Sequence, residues 1–349
     1  MTGELSFQVL PKLREGDKVA ILSPSFAAPG CWPHIYELGL QRLREEFLLE
    51  PIAFPATSKL GASKEERVAD LIAAFADPTI KAVISTLGGD DQVTYIKNLP
   101  DEPFKSNPKM FFGYSDNTHF MNHLWLNDVP SFYGGALFTQ FAQTPHMEDF
   151  TLRYLKKALF EGGDTERAWS ENYNDVGLGW DDPTNMIRPK LYEPNDGWIW
   201  DGNQDAQGFT WGGCLESIDE ILRHDGRLPS LAQFEQIVLI TETSEEIPDH
   251  DYVRRVYRAL GERSILGRIK ALLVGRSKAW EFGKEKSAIE KTKYRLQQQQ
   301  TTLETVRAYN FTAPIVQNLD FGHTNPQICL PLGALTKVKS STRAVSICF

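Results

Sequence analysis

The chain has 349 residues, of which 41% are hydrophobic and 24% charged, the make-up of an ordinary globular protein that folds in water. That length exceeds what one core usually supports, so two domains are expected. The formal net charge of -9 excludes nucleic-acid polymers and anionic membranes as natural partners, because both select for positive surfaces, but a small nucleotide-like ligand stays compatible with it.

The first residues, MTGELSFQVLPKL, include Glu4 and lack the apolar core of a signal peptide. No stretch approaches the length needed to span a bilayer. Cys31, Cys214, Cys329 and Cys348 are scattered without any C-x-x-C spacing, which reads as buried thiols of a cytoplasmic protein and not as a disulfide framework. The first strand is expected around Val19-Ala20-Ile21-Leu22, followed by a small-residue turn, Ser23-Pro24-Ser25, the usual opening of a doubly wound α/β unit. Helices follow over 33–48 and 63–75, the second beginning with Ser63 and Glu66 in capping-box spacing. Lys81 to Leu87 is β-rich and leads into Gly88-Gly89.

The stretch 109–128, KMFFGYSDNTHFMNHLWLND, carries the strongest signal. Met110-Phe111-Phe112 is too short for a helix and reads as a buried strand. Gly113 permits a sharp turn, Ser115 sits at its tip, and Asp116-Asn117 favour a helix start, with Phe120, Met121, Leu124 and Trp125 giving that helix an apolar face. Strand, tight turn with serine, and helix make a nucleophile elbow, which lifts a hydroxyl beside free N–H groups at the helix start. A plain helix cap at Ser115 is the competing reading.

From Gly162 to Gln207 the chain is rich in Gly, Asp, Asn and Pro, with Trp169, Trp180, Trp198 and Trp200. The tryptophans argue against disorder and leave two readings open, a packing latch or a surface on which a planar ligand stacks. Trp180, between Gly177-Leu178-Gly179 and Asp181-Asp182-Pro183, has flanks that suit a loop tip. Regular structure resumes with a helix over 215–224, a strand 237–241 ending at Glu242, a helix over 252–260, a strand 271–274 and a charged surface helix within 284–309. The chain then turns through Asp320-Phe321-Gly322-His323-Thr324-Asn325-Pro326 into short alternating strands. The expected division is an α/β domain over 1–160, a tryptophan-bearing connection over 161–207, and a C-terminal domain over 208–349.

Ser115, Glu242 and His323 each stand at or just after the end of an apolar strand, and they supply nucleophile, orienting carboxylate and base. Gly88-Gly89 suits an oxyanion hole, because the backbone can approach a carbonyl closely, and the amide of Asp116 offers a second donor. His119 and His123 have helical metal-ligand spacing but lack the glutamate of H-E-x-x-H, and Gly88-Gly89 lacks the features of a P-loop or a dinucleotide fingerprint. No metal and no cofactor are therefore expected. A binding module that keeps the fold without cutting anything is the non-enzymatic alternative.

Together GYSDNT (113–118), ISTLGGDD (84–91), ITETSEE (240–246) and FGHTNP (321–326) resemble the LD-carboxypeptidase family of serine peptidases, over nearly the whole chain, and within it the microcin C immunity branch. The resemblance implies an N-terminal doubly wound parallel-sheet domain and a β-rich α/β C-terminal domain, with the active site between them and a homodimeric assembly. It assigns Ser115 as nucleophile, His323 as base and Glu242 as its carboxylate, with Glu245 and Glu246 as neighbouring alternatives. Gly89 and Asp116 match the oxyanion donors. The carboxypeptidase branch releases D-alanine from murein tetrapeptide. The immunity branch cuts the amide between an aminoacyl group and a nucleotide-like moiety, with a loop tryptophan on the base, for which Trp180 is the choice here. Gly212-Gly213-Cys214, where the carboxypeptidase branch would have G-G-N, and the long tryptophan segment favour the immunity branch. The expected partner is thus a small aminoacyl-nucleotide analogue or short peptide.

Overall fold

The computed structural model describes residues 4–166 and 168–349. Two sheets carry the fold. The first has the strand order Leu330–Leu332, Ser131–Tyr133, Met110–Gly113, Ile80–Ser85, Lys18–Leu22, Glu50–Ala53. All its neighbours run parallel except Leu330–Leu332, which returns from the far end of the chain and pairs antiparallel with Ser131–Tyr133. The chain winds first to one edge and then to the other, so the order reverses between Lys18–Leu22 and Ile80–Ser85, where doubly wound folds bind ligands. Met110–Gly113 is buried at every position, as a parallel strand covered on both faces must be. Gly88-Gly89 follows Ile80–Ser85, and Ser115 follows Met110–Gly113, so both lie at the same end of that sheet.

The second sheet centres on four parallel strands, Ala206–Cys214, Ile237–Glu242, Ala271–Gly275 and Ile315–Leu319, with Ile237–Glu242 and Ala271–Gly275 wholly buried. Antiparallel strands Leu335–Lys339 and Ala344–Cys348 extend one side, alternating buried and solvent-facing residues. The expected α/β architecture with a second, sheet-rich unit is what the molecule has.

Helix Lys64–Ala76 starts on the anticipated capping box, Ser63 accepting from Glu66 N while the Glu66 carboxylate accepts from Ser63 N. Three features depart from the sequence reading. Strands Glu50–Ala53 and Ser131–Tyr133 are additional, short and flanked by turns, and thus too brief for periodicity to reveal. The 162–207 segment is less irregular than expected, since Asp164–Glu166 and Ile199–Asp201 form the two edges of the second sheet. The helix within 284–309, observed as Ala288–Arg307, is more than a charged surface helix, because Lys291, Arg295, Gln298, Thr301 and Thr302 are buried. Lys291 Nζ lies 2.7 Å from Asp175 Oδ1 and also pairs with Glu193, while Arg295 pairs with Asp175. That helix thus holds the tryptophan-bearing segment with buried charge. Among the described residues no helix is long and apolar enough to cross a membrane.

Candidate active site

The elbow is built as its sequence suggested. Tyr114 is extended, Ser115 adopts φ +62°, a 3-10 turn covers Ser115–Asn117, and helix Thr118–Trp125 follows. A positive φ at a non-glycine residue is costly and persists where surroundings enforce it. Here Thr118 Oγ1 donates to Ser115 O at 2.7 Å and accepts from Cys214 N at 3.0 Å, which ties the turn to the second sheet. Asn117 Nδ2 donates to Tyr114 O at 3.0 Å. Gln92, fully buried, binds the elbow to the glycine loop: its N–H donates to Asp116 Oδ2 at 3.1 Å, its Nε2 to Asn117 Oδ1 at 2.9 Å, and its Oε1 accepts from Phe120 N at 3.2 Å. The Asp116 amide lies in the first turn, where no intrahelical acceptor exists. Gly89 has φ +147°, and a Cβ there would collide with Ser25 Oγ, while a Cβ on Gly88 would lie 2.9 Å from Ser115 Cβ, so the loop passes the elbow closely only as glycine.

The second sheet delivers the other two groups. Glu242 ends its strand with a fully buried side chain, and His323 comes from the loop after Ile315–Leu319. His323 Nδ1 lies 2.7 Å from Glu242 Oε2, so the strand-end glutamate is the one set on that nitrogen. Gly322, at φ +96°, lets the backbone press against this carboxylate, since a Cβ would overlap Glu242 Oε2. Asp320, at the start of the loop, is buried against Arg276, with Nη2 to Oδ1 at 2.7 Å, and accepts from Ser170 Oγ at 2.6 Å.

His323 Nε2 does not hydrogen-bond Ser115. It lies 2.9 Å from Glu245 Oε2, so the imidazole sits between two carboxylates, one buried and one 56% exposed. Burial opposes the imidazolium, but Glu242 and Glu245 outweigh it and push His323 well above the ordinary histidine value. Burial likewise opposes the Glu245 anion, yet His323 holds its carboxyl down at about 2.

Ser115 and His323 open into a cavity of about 550 Å³, within the usual size range for small-molecule sites. Gly89, Trp180, Glu245 and Lys278 also line it. Trp180 is half-buried rather than a free loop tip. Its ring meets Trp32 edge-on at 5.0 Å and Phe138 at 5.4 Å, and its carbonyl lies 3.0 Å from His34 Nε2. Trp32 Nε1 donates to Asp181 Oδ1 at 2.8 Å, closing the wall. Flanking glycines and aspartates suggested mobility, and the partners that prevent it lie almost 150 residues earlier. His34 is one of those partners. The other three tryptophans cluster together, Trp169 with Trp198 at 6.0 Å and Trp198 with Trp200 at 6.4 Å.

Tyr133 was not singled out by sequence, yet it bridges the two halves of the site. Its hydroxyl donates to Glu242 Oε1 at 2.5 Å and accepts from Ser115 N at 3.2 Å. The only local signal was Phe132-Tyr133-Gly134-Gly135, a β-prone pair before a turn. Cys214 occupies the departure from G-G-N and is buried, with Sγ 3.2 Å from Glu216 Oε2.

The helical histidines diverge. His123 is buried beside Asp101 at 3.6 Å, and burial lowers it to about 4. His119 Nε2 lies 3.0 Å from Glu220 Oε2 and 3.6 Å from Asp116 Oδ1. These three are the donor set that could hold a metal among the described residues, with ligand atoms within 4.8 Å of one another. Sequence spacing gave no third ligand for the pair; the fold supplies two for His119 alone.

An α/β protein results in which a serine on a strand–turn–helix elbow and the histidine of a histidine–glutamate pair from a second sheet line one cavity. The chain belongs to the LD-carboxypeptidase family, whose N-terminal domain matches residues 19–134 and whose C-terminal domain matches 207–338. It is 28% identical over 342 residues to a putative carboxypeptidase of Treponema pallidum, covering 96% of this chain and 93% of the relative. It is 24% identical to the microcin C7 self-immunity protein MccF of Escherichia coli, covering 81% of this chain and 78% of that protein. MccF bound to aspartyl sulfamoyl adenosine superposes with a TM-score of 0.82 at 21% identity, covering 98% of both chains. An MccF-like protein from Streptococcus pneumoniae bound to AMP gives 0.80 at 25% identity, covering 95% of this chain and 98% of that one.

Proposed function

We propose that the protein is a serine amidase with Ser115 as nucleophile, His323 as base and Glu242 as orienting carboxylate, cutting the amide between an aminoacyl group and a nucleotide-like moiety. The observation that carries the reading is the shared cavity, in which the Trp180 wall and Ser115 face the same space. A flat base on Trp180 leaves the acyl end beside the elbow. The relatives that bind aspartyl sulfamoyl adenosine and AMP support a nucleotide-like ligand for this site.

In the reaction, His323 Nε2 takes the Ser115 proton while Oγ bonds to the carbonyl carbon. The N–H groups of Gly89 and Asp116 receive the negative oxygen of the tetrahedral intermediate. Collapse breaks the C–N bond, and His323 returns the proton to the leaving nitrogen. A water, deprotonated by the same imidazole, then releases the acyl group from Ser115 and regenerates the serine. Glu242 on Nδ1 fixes the tautomer and stabilises the imidazolium in both halves. Released aminoacyl-adenylate mimics lose their toxicity, which gives resistance.

The kinship with putative carboxypeptidases supports a second reading, cleavage of the L,D-peptide bond of murein tetrapeptide. A side-by-side assay of an aminoacyl sulfamoyl adenosine and a murein tetrapeptide decides. The proposal expects the nucleoside substrate to be preferred in kcat/KM, and preference for the tetrapeptide overturns it.

A further inference from the structure

Glu245 occupies the nitrogen that the reaction requires. A general base must present a lone pair to the serine proton, but His323 Nε2 faces a carboxylate at 2.9 Å while Nδ1 faces another at 2.7 Å. That arrangement holds an imidazolium. Before Nε2 can turn to Ser115, Glu245 has to leave. Glu242 cannot leave, since its side chain is fully buried and also bound by Tyr133. Glu245 can, because its side chain is 56% exposed at the rim of the cavity.

A carboxylate gives up a cation readily when another cation replaces it. The place where that cation must arrive is fixed by the chemistry. The scissile carbon has to come within about 3–3.5 Å of Ser115 Oγ, and Nε2 within about 3 Å of the same oxygen. Oε2 lies 2.9 Å from Nε2, so a group on the carbon next to the scissile carbonyl falls within its reach. In an aminoacyl group with a free amine, that group is an ammonium. In murein tetrapeptide the corresponding nitrogen is acylated and neutral.

We infer that Glu245 selects substrates that carry a free α-ammonium beside the scissile carbonyl, exchanging His323 for that ammonium and so releasing the base when such a substrate is bound. The inference rests on the amidase reading above and narrows it. The groups facing this exchange are Glu242 and Tyr133 behind the imidazole, Tyr114 with its ring 4.9 Å from it, and Lys278 across the cavity, itself near Asp175 and Glu281. Lys278 also lowers the Glu245 carboxyl, which favours its anion.

Two measurements test this. In a Ser115→Ala background, calorimetry compares an aminoacyl sulfamoyl adenosine with its N-acetylated form. Glu245 should favour the free amine by about tenfold or more, as a charge-assisted hydrogen bond implies, and Glu245→Gln should bring the ratio close to one. In the full enzyme, Glu245→Gln should slow cleavage of the free-amine substrate and accelerate that of the N-acetylated one. It should also lower the pH midpoint of kcat/KM, because one of the two anions holding the imidazolium is gone. Equal slowing of both substrates, or an unchanged binding ratio, would overturn the inference and make Glu245 a positioning residue at most. If the wild-type enzyme cuts neither substrate, the amidase reading fails, while the binding ratio still judges Glu245 by itself.

Discussion

The elbow at 109–128 and the tryptophan segment at 162–207 face one another across the same cavity, and they are held in place by different physics. The elbow is fixed by hydrogen bonds, some local, Thr118 on the carbonyl of Ser115 and Asn117 on that of Tyr114, and some from Gln92, Tyr133 and Cys214 elsewhere in the chain. The segment is fixed by groups far along the chain. Asp175 pairs with Lys291 and Arg295, and Asn174 forms a two-way backbone bridge with Asn325, with N···O distances of 2.7 and 2.8 Å. Ser115 thus depends on a hydrogen-bonded turn and the tryptophan segment on distant buried charge. Substitutions in the first region should damage chemistry and spare the fold, and substitutions in the second should do more of the reverse.

The largest expected effect is at the reacting atoms. Ser115→Ala and His323→Ala should each lower kcat/KM by roughly four to six orders of magnitude, with Glu242→Ala costing less because an orienting group is partly dispensable. Thermal melts of Ser115→Ala should match the wild type. Activity kept within about tenfold in that variant would remove the serine from the role of nucleophile.

The charge anchor comes next. Asp175→Ala leaves Lys291 and Arg295, both buried, with Glu193 as their remaining carboxylate. Stranding buried cations costs about 3–5 kcal/mol, read as a lower urea midpoint at unchanged slope. Below its transition the variant should still be labelled at Ser115 by a phosphonate probe. Loss of labelling with full stability would show that the two regions are coupled in a way their separate anchors do not explain.

This contrast also explains what could be read from the chain. The elbow, Glu242 at a strand end, and the capping box at Ser63 were legible because each is a short pattern whose parts touch one another. Glycines 89 and 322 were visible as residues, but their necessity rests on contacts with Ser25 and Glu242 that only the fold creates. Tyr133 escaped notice because its strand has three residues and its partners are 18 and 109 positions away. The burial of Lys291 and Arg295 was illegible for the same reason, since a charged helix face looks solvated until Asp175 is brought to it. Trp180 lines the cavity, but its flanks suggest a loop tip, and the partners that pack it, Trp32 and Phe138, are not legible from its neighbours.

Trp180→Ala tests whether that residue belongs to the wall or to the anchor. A base stacked on an aromatic ring is worth roughly 1–3 kcal/mol, so cleavage of an aminoacyl sulfamoyl adenosine should weaken about tenfold or more. Two edge-on aromatic contacts are lost as well, at about 0.5–1.5 kcal/mol each, so a modest drop in stability is expected alongside. Trp180→Phe should recover most of both. Cleavage of a murein tetrapeptide, which offers no base, should barely change. Equal loss on both substrates would reduce Trp180 to packing and remove the main support for a nucleotide-like ligand.

The smallest expected effect is that of chelation, and it concerns the underside of the elbow. Asp116, His119 and Glu220 bring three ligand-type atoms together beneath the serine. Burial raises the Asp116 carboxyl, with His119 opposing. Glu220 is 36% exposed and completes the cluster from helix Leu215–Arg223. The cluster uses the Asp116 side chain, whereas the proposed oxyanion donors are the backbone amides of Asp116 and Gly89. The serine route needs no metal-bound water. Exhaustive treatment with a chelator should therefore leave kcat/KM within about twofold of its starting value, on the scale of differences too small to change a barrier meaningfully. A loss that zinc restores, and that His119→Gln reproduces, would make this cluster part of the machinery and end the distinction between an elbow held by hydrogen bonds and a tryptophan segment anchored by buried charge.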